Sequence, residues 1–209
     1  MKKSIVVPRT AHYYLKGNIK ADHVLYVLHG YAQLAEDFIK EFAALENENV
    51  LIIAPEALSK FYNKERKPVA NWMTSHERED EMKDYIVYLE QLRTHVEKEY
   101  GPKQLHILGF SQGTSTALRW ISKCEKKIDH AYICSGAIPP ELKEDDLKSQ
   151  SGCNFHYFYG DQDHFFNKEK GHELFLLLDS ITNRTEEHPF EGDHSIHPIS
   201  LEVIKSKIN

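Results

Sequence analysis

The chain is expected to fold as α/β, with a mostly parallel, doubly wound sheet of about seven strands flanked by helices. Two patterns carry that expectation. Short runs of continuous apolar residues recur along the chain, as strands buried on both faces require. Between them lie longer stretches in which apolar residues return every three or four positions, the helical spacing. A third observation concerns organisation. No internal repeat, low-complexity tract or linker divides the 209 residues, so residues 1–209 are read as one domain.

The elements follow in order. "SIVVPRTAHYYLKG" near the start contains a proline and suits edge or antiparallel strands. "HVLYVLHG" (23–30), "NVLIIAPE" (49–56), "QLHILGFS" (104–111), "HAYICSGA" (130–137) and "NFHYFYGD" (154–161) each suit a buried strand, and a last strand carries His188. Helical spacing marks 34–45, 77–99, 112–124, 168–181 and 197–207. In 77–99 the face is Met82, Tyr85, Ile86, Leu89, Leu92 and Val96, and Gly101 with Pro102 ends it. The stretch 57–76 is the one long connection, and the one that could overhang a site as a lid.

Bulk composition excludes several roles. A formal charge of −6 disfavours nucleic acid and anionic membrane surfaces, which reward basic patches. Cys124, Cys134 and Cys153 are odd in number and form no C-x-x-C pair, which fits free thiols in a reducing compartment. The apolar run after "MKK" is too short for a signal peptide and meets Pro8 and Arg9 at once. No run approaches the ~18 apolar residues of a membrane helix. A cytoplasmic location is expected, with no integral membrane contact.

Active sites in doubly wound sheets sit where strands end, which directs the search to the strand exits. "GFSQG" (109–113) leaves a strand and opens a helix. A sharp turn there exposes the serine and brings flanking backbone close, so Gly109 and Gly113 are needed on either side. Ser111 is the candidate nucleophile, and strained backbone angles are expected at it. A helix cap in an ordinary turn is the competing reading of the same serine. For an acid, "YGDQDHF" offers Asp161 and Asp163, which the residues alone do not separate. For a base, the C-terminal region offers His188, His194 and His197. Of these, His194 lies in a loop after Gly192, where an imidazole can reach the serine. The order Ser, Asp, His is that of the α/β-hydrolase triad. "VLHGYAQ" leaves a strand at Gly30, so the amide of Tyr31 and that of Gln112 are the candidate oxyanion donors. Trp72 and Met73 either line an apolar substrate wall or lie in the core. No metal-ligand spacing such as H-E-x-x-H occurs, and no metal or cofactor is expected.

Together these segments resemble the phospholipase/carboxylesterase branch of the α/β-hydrolases, which includes acyl-protein thioesterases and small bacterial carboxylesterases. The likeness spans nearly the whole chain, through "LHGYAQLAEDF", "APEA", "NWMT", "GFSQG", "YGDQDHFF" and "EGDHSI" in that order. It implies Asp163 as the acid, second aspartate of a "G-D-x-D" stretch, and His194 as the base of a "G-x-H" segment. It departs from the family pattern at "DHFFN", commonly "D-P-x-V-P", and at Thr114, often glycine. Both departures bear on the acyl or leaving-group pocket. The function expected is short-chain carboxylic-ester hydrolysis through an acyl-enzyme, on a small-molecule ester or thioester. Lysophospholipase or acyl-protein thioesterase activity is the alternative, and a non-catalytic binding module of the same fold stands further off.

Overall fold

The computed structural model describes all 209 residues. Its main sheet has seven strands: β1 (Tyr13–Gly17), β2 (His23–Leu28), β3 (Val50–Pro55), β6 (Gln104–Phe110), β7 (His130–Cys134), β8 (Asn154–Gly160) and β9 (Thr185–Phe190). They lie in the order β1-β3-β2-β6-β7-β8-β9, so β1 and β9 form the two edges. Only β1 runs antiparallel, along β3, and residues 4–11 take no part in the sheet.

Period-2 alternation divides the apolar residues between two cores. Val24, Tyr26 and Leu28 of β2 face one side with Leu89, Leu92 and Val96 of α2 (Arg78–Tyr100) and Ala117, Leu118 and Ile121 of α3 (Gln112–Ile121). Leu174 and Leu178 of α5 (Lys168–Thr182) complete that side. Leu25 and Val27 face the other, against Phe38, Ile39, Phe42 and Leu45 and against Ile204 and Ile208 of α6 (Pro198–Ile208). Helices on both faces explain why the inner strands are mostly apolar on both sides, apart from a histidine near the start of each of β2, β6, β7 and β8. Burial of this kind is worth about 25 cal/mol per Å² of apolar surface and holds the sheet together.

Three segments differ from the sequence expectation. Residues 34–45 form only one turn of α-helix, α1 (Ala35–Phe38), then a 3₁₀ stretch to Leu45 kinked at Phe42. Leu34 at its start supplies no capping side chain, so packing of Phe38, Ile39, Phe42 and Leu45 sets the path. A short helix, α4 (Glu144–Leu147), was not legible. The long connection 57–76 contains a hairpin, β4 (Ser59–Tyr62) with β5 (Pro68–Asn71). No glycine makes its turn. Asn63 Oδ1 accepts from the amides of Glu65 (3.0 Å) and Lys67 (2.9 Å), while Arg66 takes φ 61°.

The strand order reverses between β2 and β6, and Leu28 is paired with Gly109 there. That switch opens a crevice at the strands' carboxyl ends, bordered by the segments that follow β2 and β6. No helix is long and apolar enough to cross a membrane.

Candidate active site

Ser111 sits between β6 and α3 with φ 53° and ψ −117°, as strained as the turn predicts. Its amide donates to the Cys134 carbonyl at 2.9 Å, and its carbonyl accepts from the buried Thr114 hydroxyl at 2.6 Å. Thr114 therefore helps to hold the strained residue. The flanking glycines answer to close approach: a Cβ on Gly109 would lie 2.4 Å from the Gly113 carbonyl oxygen, and one on Gly113 2.2 Å from that of Leu28. Gly113→Ala should thus destabilise by more than the about 1–3 kcal/mol of ordinary overpacking, because the obstacle is backbone. A melting temperature equal to the parent's would contradict that packing.

The turn after β2 meets the serine directly, since a side chain on Gly30 would come 3.2 Å from Ser111 Cβ. The amides on either side of Tyr31 are committed, Gly30 to Gln33 Oε1 (2.7 Å) and Ala32 to the Ala70 carbonyl (3.0 Å). His29 orients the peptide between Gly30 and Tyr31. Its Nε2 accepts from the Ala57 amide at 3.1 Å, which puts the proton on Nδ1, where it is donated to the Gly30 carbonyl at 2.7 Å. A trans peptide whose carbonyl faces His29 turns its N–H, that of Tyr31, the opposite way. Burial pushes the His29 imidazole down to about 4, so it keeps this neutral tautomer.

The Gln112 side chain is fully engaged. Its Nε2 donates to Asn71 Oδ1 (2.6 Å) and the Met73 carbonyl (2.9 Å), and its Oε1 accepts from the Trp72 amide (3.2 Å). The side chain ties the start of α3 to the segment after β5. The same contacts fix where the end of 57–76 lies. The hairpin is joined to the turn after β2 through the Gln33 and Ala70 bridge. Trp72 is only 2% exposed, lies in the core, and donates its indole N–H to the His29 carbonyl at 2.8 Å. It supports the turn from beneath and is no open substrate wall. Met73 is half-buried against that core, its sulfur 3.4 Å from Arg119 Nη1.

Asp163 and His194 lie beyond β8 and β9. Asp163 Oδ2 is 2.7 Å from His194 Nδ1, and its Oδ1 accepts from the amides of Phe165 (2.8 Å) and Phe166 (3.1 Å). The carboxylate is buried and fully engaged, which fixes the imidazole's orientation. Asp161 has a different role. It is exposed, and its Oδ1 accepts from the Gly192 amide at 3.1 Å, while the Gln162 amide donates to the Gly192 carbonyl at 2.9 Å. Asp161 and its neighbour thereby pin the loop of Asp163 to the loop of His194. His188 lies within β9, and His197 caps α6 by accepting from the Ile199 amide. Neither stands with the Asp163–His194 pair.

The His194 ring packs against Phe110, the residue before the serine, with ring centres 4.9 Å apart, and edge-on to Phe165 at the same distance. The "DHFFN" departure thus forms an aromatic wall beside the imidazole, and Phe165 remains 63% exposed. Sequence reasoning missed the roles of His29, Gln112's side chain and Phe165. The first two act through partners more than 25 residues away, which no local pattern reveals.

The family model for phospholipase/carboxylesterase matches residues 15–209. Among solved structures, the maize (Zea mays) acyl-protein thioesterase 2 is 15% identical with a TM-score of 0.74, over 95% of this chain and 97% of that one. The esterase PE8 is 16% identical with a TM-score of 0.73, over 96% and 100%. A Bacillus cereus carboxylesterase is 17% identical with a TM-score of 0.68, over 95% and 93%. At such identities these neighbours share the fold. No curated protein sequence matches significantly.

Proposed function

Because the chain belongs to the phospholipase/carboxylesterase family of α/β-hydrolases, we propose that all of it forms one catalytic domain, a serine carboxylesterase. The observation that carries this reading is the pair of buried Asp163 and half-buried His194 at 2.7 Å, with the His194 ring packed on Phe110, the residue before a strained Ser111. Ser111 Oγ attacks the ester carbonyl carbon while His194 Nε2 takes the hydroxyl proton. The Nδ1–H stays on the ring and is donated to Asp163, whose carboxylate stabilises the imidazolium. The amides of Tyr31 and Gln112 receive the oxyanion, each such donor being worth about 10²–10³ in rate. His194 then protonates the departing alcohol or thiol, and water, activated by the same imidazole, releases the acid. A fluorophosphonate probe should form one adduct, on Ser111; a folded enzyme that stays unlabelled is no serine hydrolase.

Short acyl chains, acetyl to hexanoyl, are the proposed substrates. The 57–76 hairpin is held against the turn after β2, and on this reading it leaves a long chain uncovered. A methylene adds its about 0.8 kcal/mol only when covered. One observation favours the alternative, a lysophospholipid or acyl-protein thioester. Tyr31 is 58% exposed, packs against Phe61, and with Phe165 places two open aromatic rings beside the site. A series of p-nitrophenyl esters separates the two: kcat/KM is expected to peak by hexanoyl, and a peak at decanoyl or beyond selects the alternative. Three free, buried cysteines suit a reducing compartment, and the cytoplasm is the proposed location.

A further inference from the structure

Five histidines cross the sheet in a row: His23 on β2, His106 on β6, His130 on β7, His156 on β8 and His188 on β9. Period-2 alternation sets all five on the face that α6 covers, with Leu25, Leu108, Tyr132, Phe158 and Phe190 two residues further along their strands. Three of the four neighbouring pairs meet nitrogen to nitrogen, while His106 and His130 stack with ring centres 5.3 Å apart. His23 Nδ1 lies 3.0 Å from His106 Nε2, His130 Nδ1 3.0 Å from His156 Nε2, and His156 Nδ1 3.2 Å from His188 Nε2.

The outer end of the row differs from the rest because a carboxylate joins it. Parallel register sets Glu186 beside His156, and His188 follows two residues later on the same face. Glu186 Oε2 is 3.4 Å from His156 Nδ1 and 3.7 Å from His188 Nε2. The point equidistant from the three atoms is therefore about 2.0 Å from each, the length of a zinc–nitrogen or zinc–carboxylate bond. Hydrogen bonding alone serves this triangle badly. A single proton on either nitrogen leaves one edge joining two acceptors, and protons on both oppose two donors across 3.2 Å. One cation satisfies all three atoms.

We propose that His156 Nδ1, His188 Nε2 and a Glu186 carboxylate oxygen form a binding site for a divalent ion of the zinc class, with water as the fourth ligand. Two nitrogens and one oxygen in a small triangle suit zinc, whereas calcium and magnesium prefer oxygen throughout. The outer shell is in place as well, since His156 Nε2 faces His130 Nδ1 at 3.0 Å and can donate its proton there. His156 is fully buried and His188 is 16% exposed, while Glu186 at 58% opens the fourth position to solvent. Lys207 of α6 is a nearby cation, and its charge opposes the ion's. The site joins β8 to β9, the strands that lead to Asp163 and to His194. Gly160 lies four residues beyond His156 along β8, about 13 Å at the usual rise, so the ion braces the frame and touches no reacting atom.

Zinc titration against a chromophoric chelator, with cobalt as the spectroscopic probe, tests this in the full chain. The parent protein should take up one equivalent, give the intense visible bands of tetrahedral cobalt, and melt at a higher temperature with zinc than without. His188→Ala and Glu186→Gln change partly exposed residues, so folding should survive, and each should weaken binding at least about tenfold. Lys207→Met should tighten it. The proposal is overturned if the parent binds no stoichiometric ion, if cobalt gives only weak octahedral bands, or if both variants bind as the parent does.

Discussion

Alanine at Ser111 or at His194 is expected to lower kcat for p-nitrophenyl butyrate by about 10⁶, because removing either disables the pair that acts as one unit. Asp163→Asn should lose about 10⁴, since it leaves the base in place but takes away the acceptor that sets its tautomer. Asp161→Asn provides the contrast. Its carboxylate reaches only the Gly192 amide, so the expected loss is small and should appear as reduced thermal stability. Circular dichroism on each variant separates lost chemistry from lost folding. An Asp161 variant more damaged in kcat than the Asp163 variant would exchange their roles.

Stability is expected to fall steeply as pH drops from about 6.5 towards 4. Burial holds His29 down to about 4 and His106 down to about 3, against an ordinary value of 6.5. Above 6.5 neither the folded nor the unfolded chain protonates them, and pH has no effect through these groups. Below it the unfolded chain takes up protons that the folded chain refuses, so each step down favours unfolding until the folded values are passed. His29 alone accounts for about 3 kcal/mol over its window, against a typical total of about 5–15 kcal/mol. His29 is faced by Glu56, the Gly30 carbonyl and the Ala57 amide, and Glu56 only partly offsets burial. His106 is faced by His23, His130, His156 and the Tyr132 hydroxyl, none of them an anion to offset it. Urea midpoints at pH 7, 6 and 5 check this above the main carboxylate range. A midpoint unchanged between pH 7 and 5 would show that these imidazoles protonate freely in the folded state.

The parallel strands were legible because burial on both faces makes them runs of consecutive apolar residues, as "VLYVL" and "VLIIAP" show. The elbow was legible because backbone approach leaves room only for glycine. The β4–β5 hairpin was not, since its strands have four residues each and its turn depends on the Asn63 side chain. Asp161 and Asp163 look alike in "GDQD"; what separates them is the distance to His194 and two amides, which exists only in the fold. The histidine row escaped for a related reason. Each ring comes from a different strand, and register between parallel strands is written nowhere in the chain order.

The place of β9 at the sheet's edge has a consequence for how molecules avoid one another. An open edge offers unpaired amides and carbonyls to any passing strand and is a starting point for aggregation. In β9 the carbonyl of Phe190, and that of Arg184 just before the strand, bond inward to β8's side, so the odd-numbered residues turn their backbone outward. Among these is Pro189, which has no N–H to give, while Glu186 and Glu187 add charge along the strand. A strand docking here would pull on the segment that runs straight into Gly192 and His194. The proline and the glutamates therefore guard solubility and the seat of the imidazole at once.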